Sequence, residues 1–206
     1  MSDDRLTRQT FEHDLNLITT TNWSGQLREI LCIIGKENNL ENHEKINTSI
    51  AIQKFKELAN TDFQDKVNFK PKLRSYKLFK QDIETEKYVT SNLNNFERSL
   101  IAKLRSGTLP LAIETGRFRN IDVENRTCTM CDQNLIEDEK HFICICSLYH
   151  DLRLKLYSDL NLDHETNTND LFIKVMRSEK IYCLSSFMVN AWQKRTNFLY
   201  NMIGSN

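Results

Sequence analysis

Residues 126–146 read RTCTMCDQNLIEDEKHFICIC, and this stretch decides how the rest of the chain is interpreted. Its spacing is Cys-x2-Cys-x9-His-x4-Cys, formed by Cys128, Cys131, His141 and Cys146. Two thiolates two residues apart can hold one ion from a tight turn, and a second pair further along completes a tetrahedron. Because four protein ligands leave no position for water, the spacing predicts a closed, structural Zn²⁺ site and not a hydrolytic one.

Geometry alone does not identify the fourth ligand, because a further cysteine, Cys144, lies between His141 and Cys146. On a regular helix His141 and Cys144 share one face, whereas Cys146 points elsewhere. If the helix ends at Ile145, however, Cys146 can reach the metal from a non-helical turn. The spacing does not decide between these two arrangements.

The composition favours a packed, mainly α chain. Hydrophobic residues make up 39% of the 206 residues, which is enough for a core. Only five glycines and two prolines occur, and such a scarcity of turn residues disfavours a many-stranded sandwich or barrel. We therefore predict a helical domain with a small irregular zinc-knuckle insertion. Two cysteines outside the cluster, Cys32 and Cys183, lie in apolar helical stretches and are expected to be buried.

Apolar residues at helical spacing predict the individual helices. Asn94 or Asn95 is expected to cap one helix, and Gly107 and Pro110 to end it. We predict a loop followed by a short helix between Phe63 and Lys80. Three regions are expected: an N-terminal helical region (1–93), a helix with the zinc knuckle (94–163) and C-terminal helices (164–206). The apolar stripes are Trp23 to Ile34, Ile52 to Ala59, Phe96 to Leu104, Tyr149 to Leu160, Leu171 to Met176 and Leu184 to Leu199, and His164 to Asp170 is a linker candidate.

The charge and the hydropathy pattern bear on location. The chain has 28 basic and 28 acidic residues, so no strong overall field attracts a nucleic acid or a membrane. No apolar run approaches the roughly 20 residues that cross a bilayer, and no signal peptide opens the sequence. We expect an intracellular location, nuclear or cytoplasmic, where thiols stay reduced, and no membrane partner.

Five motifs around the cysteines form a composite pattern: Leu104 to Gly107, Ile113 to Phe118, Arg126 to Cys131, Ile136 to Phe142 and Cys146 to Arg153. This pattern resembles the region C-terminal to the reverse transcriptase domain in non-LTR (LINE-like) retrotransposon polyproteins, strongly over residues 74–153. The resemblance implies that the last metal ligand is Cys146 and not Cys144.

The catalytic parts of such a polyprotein have no counterpart in this sequence. A reverse transcriptase holds two magnesium ions on paired aspartates between apolar strands. The only adjacent pair here, Asp3 and Asp4, lies in a charged N-terminal segment. The chain is therefore expected to be a non-catalytic module.

The remaining functional hypothesis is nucleic-acid binding, which the resemblance implies. Residues 66–126 contain thirteen basic and seven acidic side chains with aromatics between them, a pattern suited to RNA or single-stranded DNA. The candidate contacts are Arg105, Arg117, Arg119 and Arg126. The alternative is a zinc-stabilised helical module for protein interaction, or an inert element fragment, in which the charges form a solvated face. Glu114 and Arg117 are read either as an internal ion pair near Gly116 or as nucleic-acid contacts.

Overall fold

The computed structural model describes residues 9–10, 13–14, 23–36, 47–163 and 167–204. These residues are mainly helical, which confirms the predicted fold class at that level. The described part of the chain contains no β-strand, only an isolated antiparallel bridge between Thr127 and Ile136. The polar stretch from Lys36 to Lys45, which the sequence predicts to be a loop, falls almost entirely outside the described residues.

The chain divides into two compact units, residues 1–61 and 62–206. The divisions predicted after residues 93 and 163 both fall inside the second unit. In the first unit, helix α1 spans Trp23–Ile33 and helix α2 begins at Thr48. Leu31 is buried in α1, whereas Trp23 and Ile30 of the same stripe are exposed. Cys32 is exposed as well, so the prediction that it is buried is wrong.

The second unit contains the end of α2 and seven further helices among the described residues. Helix α2 runs without a break from Thr48 to Phe69, so the loop predicted from Phe63 is wrong. Short 3-10 turns and one π-helical turn connect the helices. The helices are α3 (Tyr76–Phe79), α4 (Lys87–Thr90), α5 (Asn95–Arg105), α6 (Ala112–Phe118), α7 (His150–Leu160), α8 (Thr168–Arg177) and α9 (Ile181–Gly204), with 3-10 turns at Pro71–Leu73, Val123–Asn125 and Ser147–Tyr149 and the π turn at His141–Ile145.

Helix α5 begins and ends where its sequence predicts. The Asn94 side chain accepts from the Glu97 amide at 3.0 Å, and the Glu97 carboxylate accepts from the Asn94 amide at 2.8 Å, which is a capping box. The helix ends at Arg105, and Gly107 follows with a φ of 67°. A Cβ at this glycine would collide with the Lys72 carbonyl oxygen, so only glycine fits this close approach.

The core of the second unit lies where α5, α7 and α9 pack together. Helix α8 covers the π turn, and the Phe142 ring contacts Tyr149 and Phe187 at centroid distances of 4.7 and 6.1 Å. The structure differs from the predictions at three points of this unit. Phe96 and Leu199 belong to predicted apolar stripes but are exposed. Residues 168–170 form the first turn of α8 instead of a linker. The buried members of the predicted stripes are Leu100, Ile101, Leu104, Tyr149, Leu156, Leu171, Phe172, Val175, Met176, Leu184, Phe187, Met188 and Ala191.

Within the described residues, every helix is too short or too polar to cross a bilayer.

Candidate metal centre

The first two cysteines lie in a hairpin of residues 126–137, here called the cysteine hairpin. The Cys128 amide donates to the Leu135 carbonyl at 2.8 Å, and the Glu137 amide donates to the Arg126 carbonyl at 2.9 Å. At the turn, the Met130 amide donates to the Cys128 sulfur at 3.3 Å. This backbone contact orients the Cys128 sulfur into the space between the hairpin and the π turn.

His141 and Cys146 lie at the two ends of the π turn. Asp138 starts the helical segment, because its carboxylate accepts from the His141 amide at 2.7 Å. The Cys146 amide then donates to the His141 carbonyl at 2.9 Å, which is an i→i+5 hydrogen bond. Such a wide turn brings residue i+5, here Cys146, back toward the side of residue i, here His141. Cys146 itself has left the helix, with φ −51° and ψ 125°, so its side chain approaches from a non-helical position.

These two segments bring the four predicted ligand residues together. The ligand atoms of Cys128, Cys131, His141 and Cys146 all lie within 4.8 Å of one another and could hold a metal ion. The Cys128 and Cys146 sulfurs are 3.9 Å apart, and the Cys131 sulfur is 3.5 Å from His141 Nε2. A zinc tetrahedron with usual bond lengths has sulfur–sulfur edges of about 3.8 Å and sulfur–nitrogen edges of about 3.5 Å. These two separations are close to the edges of such a tetrahedron, and all six lie within 4.8 Å.

Cys144 lies outside this group. Its side chain lies beside Tyr157, and burial raises the pKa of the Cys144 thiol to about 11. Because the π turn places His141 and Cys146 on the same side, the regular-helix geometry that favoured Cys144 does not apply here. The assignment of Cys146 as the fourth ligand stays a prediction that metal titration can test.

The Cys128 and Cys146 sulfurs form a hydrogen bond. This hydrogen bond, together with burial, raises the pKa of the Cys128 thiol to about 12. The same hydrogen bond lowers the pKa of Cys146. Because a metal ligand must be a thiolate, an incoming cation has to displace the proton of Cys128.

Glu137 connects the cysteine hairpin with two helices, a role that the sequence analysis missed. Its carboxylate is 2% exposed and accepts two hydrogen bonds from Arg195 of α9, one of them at 3.1 Å. It also accepts from the Ala112 amide at the start of α6 at 2.7 Å. One of its oxygens lies 3.9 Å from the Cys128 sulfur. Glu137 therefore fixes the hairpin beside the candidate ligands.

The two following acidic residues are also used inside the fold. Asp138 caps the π turn, as described above, and Glu139 is completely buried. Glu139 accepts from Arg74 at 2.5 Å and from the Ser75 hydroxyl at 2.7 Å. Burial raises the pKa of Glu139 above its usual value, and the opposite effect of the nearby Arg74 guanidinium is smaller. The run Glu137 to Glu139 is thus internal, and its negative charge is not displayed as a surface patch.

Arg153 of α7 supports the π turn from the other side. Its guanidinium is buried and donates to the backbone carbonyls of Cys146 and Ile145 at 3.1 and 3.3 Å. Such charge-assisted bonds satisfy carbonyls that the irregular turn leaves without helical partners. Arg153 therefore holds the backbone that carries Cys146.

The four arginines proposed as nucleic-acid contacts have different environments. Arg105 is buried, donates to the Met176 carbonyl at 2.7 Å and pairs with Glu86 at 2.6 Å, so it faces the interior and not a ligand. Arg126 is half-buried, and its guanidinium is engaged by backbone carbonyls. Arg117 and Arg119, in contrast, are exposed.

Glu114 and Arg117 form the internal ion pair that was one of the two readings of these residues. The Glu114 carboxylate is buried, and one of its oxygens accepts from Arg117 at 3.0 Å and from Lys72 at 3.1 Å. Two cations therefore meet one buried anion at the surface of α6, and a local excess of one positive charge remains.

Most of the basic stretch is committed to partners within the fold. Nine of the thirteen basic side chains of residues 66–126 form ion pairs or hydrogen bonds to carbonyls. Three of the acidic partners, Asp62, Glu139 and Glu179, lie outside the stretch, so the excess of thirteen basic over seven acidic residues overstates its free positive charge. The other four of the thirteen basic side chains form no such contact with the described residues, and they are Lys70, Lys77, Lys103 and Arg119.

Comparison with known proteins found no match, since no family model, no curated protein and no solved structure matches the chain.

Proposed function

We propose that this chain is a non-catalytic helical module in which Cys128, Cys131, His141 and Cys146 hold one structural Zn²⁺. The observation that carries the proposal is the convergence of these four ligand atoms within 4.8 Å of one another. Three sulfurs and one imidazole nitrogen are a donor set that selects zinc over the hard cations that prefer oxygen. With four protein ligands the ion has no open position for a substrate, which supports a structural role.

Metal analysis of the purified chain tests this proposal. We expect one zinc per chain, and we expect Co²⁺ to replace it with the strong near-ultraviolet absorption of cobalt–thiolate bonds. Chelation should lower the helical signal in part, because metal affinity contributes to the free energy of folding at such a site. A reproducible absence of metal in protein purified under reducing conditions would refute the proposal.

We further propose weak binding of RNA or single-stranded DNA at the end of α6, as the resemblance to retrotransposon polyproteins suggested. The supporting observation is the sequence Arg117, Phe118, Arg119, in which the Phe118 ring is 72% exposed. The Arg117 guanidinium lies 5.0 Å from the centre of that ring. An exposed aromatic ring can stack on an unpaired base while the adjacent guanidinium groups pair with phosphates.

Fluorescence anisotropy with a labelled single-stranded oligonucleotide tests this second proposal. If Arg117 and Arg119 neutralise two phosphates, a fourfold rise in salt should weaken binding about sevenfold. The variant R117E/R119E should lose binding and keep its metal. The matched control is K155E/K174E, which changes the net charge equally at exposed positions of α7 and α8. Equal losses in both variants, or none, would favour the protein-interaction alternative.

An origin in a retrotransposon polyprotein and an intracellular location remain part of this proposal. A reducing compartment, nuclear or cytoplasmic, would keep the three cysteines available as thiolates.

A further inference from the structure

The start of helix α6 is held by the cysteine hairpin. The first two amides of α6 point to Glu137: the Ala112 amide donates to its carboxylate at 2.7 Å, and the Ile113 amide donates to its backbone carbonyl at 3.1 Å. In most helices the first amides bond to a preceding capping residue or to water. In α6 the residue before the helix, Leu111, has no side chain that can accept. The hairpin therefore supplies the cap.

The rest of α6 is held by the other end of the same hairpin. The Arg126 side chain crosses Gly116, where a Cβ atom would lie 2.7 Å from Arg126 Cγ. Its guanidinium donates to the carbonyls of Ile113 at 3.0 Å and Ile121 at 2.8 Å. Arg126 thus binds carbonyls on both sides of Gly116, and the glycine makes room for it.

The two holding residues are neighbours across the hairpin, and two of the candidate ligands, Cys128 and Cys131, lie between them. Glu137 donates its amide to the Arg126 carbonyl at 2.9 Å, directly beside Cys128. The hairpin has one isolated bridge and no strand of its own, and an isolated hairpin is marginally stable at best. Helix α6 has seven residues, fewer than an isolated helix needs in water. Each element therefore depends on something outside itself.

We infer that metal occupancy at the cysteine site orders helix α6 and thereby presents Arg117, Phe118 and Arg119 at the surface. The inference rests on the proposed metal binding, and it adds a regulation to the proposed nucleic-acid surface. An ion bound to Cys128 and Cys131 fixes the hairpin against the π turn. The fixed hairpin keeps Arg126 and Glu137 on α6. Without the ion, the turn that carries Cys128 and Cys131 loses its anchor. The buried pair of Glu137 with Arg195 still ties one end of the hairpin to α9, but the hold of the hairpin on α6 weakens.

Amide hydrogen exchange of the full chain, measured residue by residue before and after chelation, tests the inference. The Ala112 and Ile113 amides should exchange at least roughly fivefold faster without metal, because each loses a hydrogen bond to Glu137. Reference amides in the core of α5 and α9, such as Leu104 and Met188, should change much less. Equal acceleration at all these sites, or none at Ala112 and Ile113, would overturn the inference.

A pair of variants separates the hairpin contact from general damage. R126A should accelerate exchange in α6 even with metal bound, because it removes the carbonyl contacts and leaves the ligands intact. R119A is the matched control: Arg119 directly follows α6, is exposed, and forms no hydrogen bond or ion pair with the hairpin among the described residues, so α6 exchange should stay as in the natural sequence. If R126A does not fold, G116A provides a second route, since its added methyl group displaces the Arg126 side chain. Unchanged α6 exchange in the folded variant would overturn the inference.

Two further measurements distinguish this inference from the proposals on which it rests. A chain without any metal refutes the zinc proposal and the inference together, and metal analysis shows this first. A chain that binds metal but shows the same α6 exchange with and without it refutes only the inference. If the chain binds metal and the exchange of α6 depends on it, the oligonucleotide should bind more weakly to the metal-free chain. Equal affinity with and without metal would refute the coupling between the metal site and the surface of Arg117, Phe118 and Arg119.

Discussion

The buried ion pair between Glu137 and Arg195 makes the most demanding prediction about stability. The two residues are only 2% and 6% exposed, and they join the cysteine hairpin to α9. In the variant R195M the Glu137 carboxylate would stay in the core beside Cys128 without its cation. Removal of one partner from a buried pair typically costs about 3–5 kcal/mol. We expect the upper part of this range, because the nearby thiolates add negative charge.

Urea unfolding of the metal-loaded protein, followed by circular dichroism, measures this cost. With a slope near 2 kcal/mol per molar urea, a loss of about 4 kcal/mol lowers the midpoint by about 2 M. The double variant E137Q/R195M should recover most of that loss, because the neutral amide still accepts from Ala112 and no charge remains buried. The Lys87–Glu179 pair is the control, since both side chains are exposed and K87M should leave the midpoint unchanged.

Two results would refute this reasoning. A loss below about 1 kcal/mol in R195M would mean that the pair behaves like a surface salt bridge. A double variant no more stable than R195M would mean that the arginine acts by packing, for example against Trp192, whose ring centre lies 6.0 Å from its guanidinium carbon.

Three further predictions follow from the same geometry. C146S should lose the metal and C144S should keep it, and matched metal titrations that give the reverse would return the fourth position to Cys144. G107A should destabilise the protein by about 2–5 kcal/mol in thermal unfolding, since the cost of a left-handed φ adds to the collision with the Lys72 carbonyl. G35A, with a similar φ but open space around it, should cost only about 1–2 kcal/mol. Metal affinity should fall as the pH falls, at least about tenfold per pH unit near neutrality, because the raised pKa of Cys128 means that binding must displace a proton; a pH-independent affinity in chelator competition would contradict this.

The sequence predicted those features that depend on neighbouring residues. The cap at Asn94 and the glycine after α5 both follow from local chemistry, and the structure contains both. The clustering of the four candidate ligands was also predictable, because all of them lie within nineteen consecutive residues. The π turn was not, since it is an irregularity that hydrophobic periodicity does not signal.

Long-range pairing explains what the sequence could not provide. Glu137 and Glu139 stand in an acidic run of the sequence, yet their partners lie 58 residues later, at Arg195, and 65 residues earlier, at Arg74. The free positive charge of residues 66–126 was overestimated for the same reason, since Lys87 pairs with Glu179, far outside that stretch. A count of charges along the chain cannot distinguish a displayed charge from a neutralised one.

The separation between the candidate ligands and Arg195 has a consequence for synthesis on the ribosome. All four ligands have emerged once residue 146 has left the exit tunnel, so a metal ion can bind to a short, local segment early. The counter-charge for Glu137 is translated 58 residues later, as part of α9. During that interval the carboxylate lacks its arginine partner. The packing of α9 onto the unit then buries the charge of Glu137. This step follows the synthesis of all four candidate metal ligands.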